Sequence, residues 1–301
     1  MSKAKIISDV VIPVLNPSSL PDRSSPANRA ARREIKRMFG IPVSMLDYAA
    51  AGTTNWSDAL NEAIVDVGSN STLYGTYDLL LPTGNYDLPA MIQMDYPVQL
   101  IGRGLGLTVL QPTHSGNAFL LTGRYGTCPR LSSFSVFSKV NMSSHIYCQS
   151  YQNPSVPTQN WSPDFLTFDN LNLTALAGTN PAYNIVLDGN GRQNDVGGTV
   201  PIGLRSITLR DCVLFSASFR GLDARHTRVA TYSSVHVYGG GGVGGVAITG
   251  PSASILSYNN IFFGCALNGV FSTSNSVSTK LYGSPYGSLS LGANLTNFSE
   301  A

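Results

Sequence analysis

The feature that most constrains this chain is an internal repeat. Nine-residue windows beginning at positions 92, 128, 165, 207, 229 and 255 read IQMDYPVQL, CPRLSSFSV, FLTFDNLNL, ITLRDCVLF, VATYSSVHV and ILSYNNIFF. Positions 1, 7 and 9 are apolar in all six, and positions 5 and 6 are mostly small turn formers, as in Ser132-Ser133, Asp169-Asn170, Asp211-Cys212, Ser233-Ser234 and Asn259-Asn260. Each window therefore writes a strand, a tight polar corner and another strand. A further short apolar strand follows most windows, at 117–121, 183–187, 220–224, 245–248 and 268–272. Units this small cannot bury a face alone and fold by stacking on one another. Stacked at the ordinary strand separation of about 4.8 Å, their main-chain hydrogen bonds run from coil to coil, and equivalent side chains form ladders up the inside. The expected fold is all-β, a single-stranded parallel β-helix.

Composition agrees with this. Only 12% of the 301 residues are charged, while 30 are Gly. That charge content is about half the usual share, and with so many small polar residues it excludes a helical bundle or a disordered chain. A net charge of +2 gives no general reason to bind nucleic acid or an anionic membrane. The apolar stretch Ile6 to Leu15 is broken by Asp9 and Pro13, so neither a secretory signal nor membrane insertion is expected, and synthesis is read as cytoplasmic. Cys128, Cys148, Cys212 and Cys265 form no CxxC pair and read as free buried thiols, with no metal or cofactor expected. Gly239 to Gly245 lacks the Lys-Ser/Thr of a phosphate loop and reads as a turn.

The first forty residues stand apart, holding eight of the nineteen basic residues and three of the seventeen acidic ones. A Pro- and Ser-rich stretch over 13–26 reads as a linker. Ser25-Pro26 then opens a helical run that Gly40 stops. Ala27, Ala30, Ala31, Ile35, Met38 and Phe39 fall near one face, while Arg29, Arg32, Arg33, Lys36 and Arg37 occupy the others and are candidate attachment residues for a larger assembly. A second helix is expected over about 56–67, capped by Asn55 with Asp58 as capping-box partner, and its stripe Ala59, Leu60, Ala63, Ile64 and Val67 is suited to cover something apolar. The expected organisation is a basic segment 1–40, a β-helix domain 41–274 and a C-terminal cap or tail 275–301.

Four motifs run in order through residues 44–104. They are Met45-Leu46-Asp47-Tyr48-Ala49, then Trp56 to Ile64, then Leu80-Leu81-Pro82-Thr83-Gly84-Asn85-Tyr86-Asp87-Leu88, and last Val98-Gln99-Leu100-Ile101-Gly102-Arg103-Gly104. In order and spacing they resemble the N-terminal signature of the pectate-lyase-like, right-handed β-helix proteins found widely as bacteriophage tailspikes and tail fibres. The resemblance implies a helix capping the first coil, a Pro-x-Gly-x-Tyr turn opening the solenoid, and a homotrimer that would bury outward apolar residues such as Leu214 and Phe262. The chain departs from the family in having Ala51-Gly52-Thr53-Thr54-Asn55 where an acidic Gly-Asp-Gly loop is common, so no role of those acids carries over. The fold is shared by lyases, hydrolases and non-catalytic adhesins.

Chemistry has few residues to work with. Glycoside hydrolysis needs two carboxylates, and lyase chemistry needs a base beside a group that binds the sugar carboxylate. Between Asp95 and Glu300 there is no Glu, and the Asp are Asp164, Asp169, Asp188, Asp195, Asp211 and Asp223. Asp169 and Asp211 sit at repeat position 5, where bonding to their own turn backbone is the expected use. The catalytic candidates are therefore Asp188 and Asp195, which flank a polar loop, and Asp223 with His226 in the run Asp223-Ala224-Arg225-His226-Thr227-Arg228. Arg225 and Arg228 would suit an anionic sugar. Trp161, Tyr147 and Tyr151, in the long segment between the second and third windows, are candidates for stacking on sugar rings. His236, at repeat position 8, reads as a surface or interface histidine.

These readings converge on a virion tail protein, a trimeric tailspike or fibre that contacts host capsule or lipopolysaccharide during adsorption. Its N-terminal segment would dock it to tail, baseplate or portal-proximal proteins. The alternatives are an active polysaccharide depolymerase, hydrolase or lyase, and a purely architectural virion decoration protein. The scarcity of carboxylates and the small number of coils favour adhesion or a structural role.

Overall fold

The computed structural model describes residues 20–74, 78–122, 129–152, 160–161, 163, 165–189, 204, 206–215, 217–225, 229–233, 235–238, 246–249, 254–258, 261–263, 268–272, 278–282, 288–290 and 298–299. At 71–74, 151–152, 160–161 and, Val235 and Val237 apart, from 229 onward, only the backbone is described. The chain is a right-handed parallel β-helix whose coils run through three sheets. The first sheet starts with Val43–Ser44 on Asp78–Leu80 and continues through Gln99–Ile101, the leading halves of Arg130–Ser138 and Thr167–Ala175, and Ile207–Arg210, as far as Phe298–Ser299. The second holds Gly84–Leu88, Thr108–Pro112, the trailing halves of the two long strands, Val213–Phe215, His236–Tyr238 and Ile261–Phe263. The third runs from Ile92–Met94 through Asn117–Leu121, Met142–Gln149, Pro181–Asp188 and Arg220–Arg225 to Ser288–Ser290.

Ladders of stacked side chains make the core. Leu79, Leu100, Leu131, Phe168 and Leu209 follow one another up the first sheet, and Leu110, Val136, Leu173, Leu214 and Val237 up the second. Ile92, Phe119, Ile146, Ile185 and Leu222 do so on the third. All fifteen are buried. The short strands read from sequence at 117–121, 183–187, 220–224, 245–248 and 268–272 all lie on the third sheet. The polar corners are present as well: Ser133, Asn170 and Asp211 stack on successive coils with φ of 60°, 52° and 52°. Short polar side chains tolerate this left-handed conformation best after glycine.

The register corrects three readings. The window at 92 opens on the third sheet, where Gln93 pairs with Leu120, and ends on the first at Gln99 and Leu100, while those at 207 and 255 start one residue late. Leu214, expected outward, is therefore fully buried, and Phe262 shares its column through Val237. Outward-facing Phe215 is 45% exposed instead. Asp169 bonds not to its own turn but to Arg130 of the preceding coil and Arg210 of the next. Cys148 and Cys212 are buried free thiols, pushed above the ordinary thiol range by burial.

The four motifs each have a physical task. Helix α1 is Pro26–Met38, and helix α2, Trp56–Tyr74, runs seven residues past the expected end. Gly68 keeps α2 going because its bare backbone lies against Tyr96, where a Cβ would come within 2.3 Å. Asn55 caps α2 by accepting from the Ser57 N–H, while Asp58 accepts from the Asn55 side chain rather than completing a capping box. Ser57 and Asn61 exchange hydrogen bonds with the backbone of Ala90, Met91 and Gln93, which closes the open edge of the third sheet. Tyr86 folds back over Gly84, donates to the Thr83 carbonyl and meets Trp56 edge-on at 4.9 Å. Gly102 lets the next coil approach: its N–H donates to Ser132 and that of Gly104 to Ser133.

Helix α1 lies against this first coil with its basic face inward. Arg32 and Lys36 both bond the buried carboxylate of Asp47, which also accepts from the Ser44 N–H. Arg33 and Arg37 pair with Asp66, which also accepts from Tyr48, and Arg33 stacks over the Tyr48 ring. Arg29 donates to the Arg23 carbonyl. Ala27, Ala31 and Met38 are left on the exposed side.

Candidate functional site

The third sheet carries the chemistry on its outer face. Strand alternation sends Ile146, Cys148, Ile185, Leu187, Leu222 and Ala224 inward, so Tyr147, Gln149, Val186, Asp188, Asp223 and Arg225 point outward. The register stacks Tyr147, Val186 and Asp223 in one column and Gln149, Asp188 and Arg225 in the next. Candidates from three distant stretches of the sequence, Tyr147, Asp188 and the pair Asp223 and Arg225, thereby meet. The Tyr147 hydroxyl donates to Asp188 Oδ2 at 2.8 Å, and Arg225 Nη1 approaches the same oxygen at 3.7 Å. Arg225 also makes a two-pronged contact with Asp223 Oδ2, at 3.0 and 2.7 Å, while Arg220 reaches Asp223 Oδ1 at 3.3 Å.

Their electrostatic roles differ. Asp223 points outward but is fully buried, with both oxygens bound by guanidinium groups. Asp188 and Arg225 keep some exposed surface. Burial and the bond to Asp188 push Tyr147 up to about 12, so it remains a donor at any ordinary pH. Burial works most strongly against the Arg225 charge, but the bond to Asp223 together with the charges of Asp223 and Asp188 outweighs it and holds the group above its usual range. The result is a fixed patch offering an acceptor, a donor and a guanidinium, suited to hydroxyl and carboxylate groups.

Beside the patch rises an antiparallel ribbon, the only antiparallel pairing among the described strands. Its strands are Tyr151–Gln152 and Asn160–Trp161, and Tyr151 is the cross-strand partner of Trp161. The ribbon begins two residues after Gln149, the neighbour of Asp188, and the Ser150 N–H donates to the Asp188 carbonyl. Tyr147 thus lies on the third sheet, and Tyr151 and Trp161 on the separate two-stranded ribbon that follows its strand. Asp195, His226 and Arg228 lie outside the described residues. Sequence reading missed Arg220, which starts its strand at the opposite parity to Asp223 and yet reaches its carboxylate.

A buried histidine also escaped the sequence reading. His145 bridges Ser138 Oγ and the Asn184 amide inside the corner between the second and third sheets. Burial lowers it to about 3, so it is a neutral packing residue. Among the described residues no three His, Cys, Asp or Glu come together as a metal site requires, and no helix is long and apolar enough to cross a membrane.

No family model matches the sequence, and no curated protein does. Solved structures do match by fold. The A-module of mannuronan C-5 epimerase AlgE4 from Azotobacter vinelandii superposes with a TM-score of 0.57 at 13% identity, over 81% of this chain and 72% of that one. Gene product 12 of bacteriophage phi29, in its pre-mature form, gives 0.58 at 13% identity, over 89% of this chain and 38% of that one. The enzymatically active domain of bacteriophage CBA120 tailspike protein 2 gives 0.50 at 13% identity, over 80% and 39%. The chain thus spans well under half of either phage protein. At these identities the likeness is one of fold.

Proposed function

We propose that this chain is a phage tail protein of the tailspike or tail-fibre kind, which holds host surface polysaccharide against the outer face of its third sheet. The observation that carries the reading is the Tyr147, Asp188 and Arg225 patch, whose sheet strand runs on into the backbone ribbon that pairs Tyr151 with Trp161, so that polar groups and aromatic residue types of the kind sugar recognition uses follow one another along the chain. Two of the matched folds are phage proteins, one of them a tailspike, and the third is named for its action on mannuronan.

Binding is favoured over cleavage. Of the two carboxylates described on this face, Asp223 is buried and bound by two guanidinium groups, which leaves Asp188 as the one with exposed surface. This face therefore offers one exposed carboxylate where a hydrolase uses two. A homotrimer is part of the proposal. Val213 and Phe215 stand outward on the second sheet, and their columns continue through His236 and Ile261 and through Tyr238 and Phe263, a stripe that three side-by-side solenoids would cover.

The test is to incubate the chain with capsule and lipopolysaccharide extracted from a panel of bacteria, following retention, polymer size and new reducing ends. The expected outcome is retention of one glycan without shortening, reduced roughly tenfold or more in Asp188→Asn and Tyr147→Phe. Shortening of the polymer would replace the adhesin reading with a depolymerase, and no retention of any glycan would leave an architectural protein.

A further inference from the structure

A second site lies toward the N-terminal end of the solenoid, where α1 meets the first coil. A cavity of about 360 Å³ opens there, at the small end of the range for ligand pockets. Ile41, Pro42, Leu46, Leu80 and Pro82 form its walls, and Arg32, Lys36 and Arg103 bring three cations to it. One carboxylate opposes them, that of Asp47, and its oxygens are already taken by Arg32, Lys36 and the Ser44 N–H. Arg103 is exposed, and among the described residues its guanidinium has no partner; its backbone N–H alone is bonded, to Thr108 Oγ1.

We infer that this cavity is a socket for an acidic peptide, taking a carboxylate side chain at Arg103 and Lys36 and an adjacent aliphatic side chain against Ile41, Leu46 and Leu80. Excess positive charge selects an anion, and the walls select what accompanies it. The Ser44 hydroxyl is the only uncharged polar side chain in the lining, the Asp47 oxygens are already taken and no aromatic ring is present, so a sugar would find cationic donors there but few acceptors for its hydroxyl protons and no ring to stack on. An aliphatic peptide side chain loses nothing on entering. The socket sits beside the N-terminal helix, and as a contact for a neighbouring virion protein it rests on the tail-protein reading above. On that basis Arg32 and Lys36 take part in attachment by lining a cavity rather than by displaying a free basic face.

The probe is a fluorescein-labelled heptapeptide, Gly-Ser-Leu-Glu-Leu-Ser-Gly, and its twin with Gln for Glu. Fluorescence polarisation is read on the full chain at about 20 mM and about 500 mM salt, with trigalacturonate as competitor. The acidic peptide should bind at low salt and weaken at high salt, while the Gln twin should not bind. Arg103→Gln, and Ile41→Glu, which supplies a carboxylate from the wall itself, should each weaken binding roughly tenfold or more. The inference is overturned by equal binding of the twin, by unchanged affinity in Arg103→Gln, by no binding at all, or by displacement with trigalacturonate, which would assign the cavity to acidic sugar instead. Glycan retention by Arg103→Gln should equal that of the parent chain. Retention without peptide binding removes the socket alone, and peptide binding without retention removes the sugar reading of the third sheet alone.

Discussion

His145 stays neutral in the folded chain down to about 3, whereas its ordinary value is 6.5. Between those values the unfolded chain takes up a proton at this residue and the folded chain does not. Acidification across that window therefore lowers stability, with a slope approaching about 1.4 kcal/mol per pH unit from this residue. His145→Gln, which keeps a donor and an acceptor for Ser138 and Asn184, should flatten the dependence, as read from urea unfolding at a series of pH values from about 6.5 to about 4. Equal slopes in both proteins would mean that the imidazole is reached by water. Gly102 makes a steric demand of a different kind, since a Cβ there would lie 2.2 Å from the Ser133 carbonyl oxygen. Backbone of an adjacent coil cannot swing aside as a side chain can. Gly102→Ala should cost about 1–3 kcal/mol, seen as a lower urea midpoint, and an unchanged midpoint would refute the close approach.

At the scale of elements, α1 is held to the domain by charge. It buries no residue completely, and its apolar Ala27, Ala31 and Met38 face away from the first coil. Asp47 is the buried half of its anchor, so Asp47→Asn strips Arg32 and Lys36 of their partner. Removing one member of a buried pair costs about 3 kcal/mol or more. The loss should be local, because the coil ladders do not depend on α1. Trypsin should then cut at Arg32, Arg33 or Arg37 roughly tenfold faster than in the parent chain, with the main unfolding midpoint little changed. Coincident loss of both would show that the helix is a structural part of the solenoid cap. In α2 the polar residues Ser57 and Asn61 do the capping, and the apolar stripe fills the end of the core, so one helix serves both as lid and as edge protection.

For the whole molecule, the stacked coils make stability a sum of nearest-neighbour contacts, and the outward surface decides assembly. Val213 and Phe215 lie in outward columns of that surface, and Phe215 is a large apolar side chain left exposed there. The double variant Val213→Ser, Phe215→Ser should keep the β-sheet circular dichroism of the parent chain while shifting sedimentation from trimer toward monomer. A parent chain that sediments as a monomer, or a variant that stays trimeric, would remove this face from the assembly.

The fold was legible in the sequence because a solenoid repeats one local problem, and each solution leaves a local trace. The five third-sheet strands, the polar corners at Ser133, Asn170 and Asp211, and the starts of both helices follow from alternation, turn chemistry and caps that involve neighbours in the chain. The register was less legible: a shift of one residue exchanges inside and outside, and windows that tolerated Leu214 or Phe215 as the inward residue could not choose between them. Candidate residues were legible by type, and Tyr147, Asp188, Asp223 and Arg225 all reach one face. Their grouping was not, since they lie on three successive coils joined by connections of unequal length. Nor could the sequence assign the basic residues of α1, whose partners Asp47 and Asp66 lie beyond the helix. Sequence by itself determined the coil, because backbone pairing and turn preference act over a few residues. Tertiary structure alone decided which charges meet and which face is left to water, because both depend on how coils of different lengths stack.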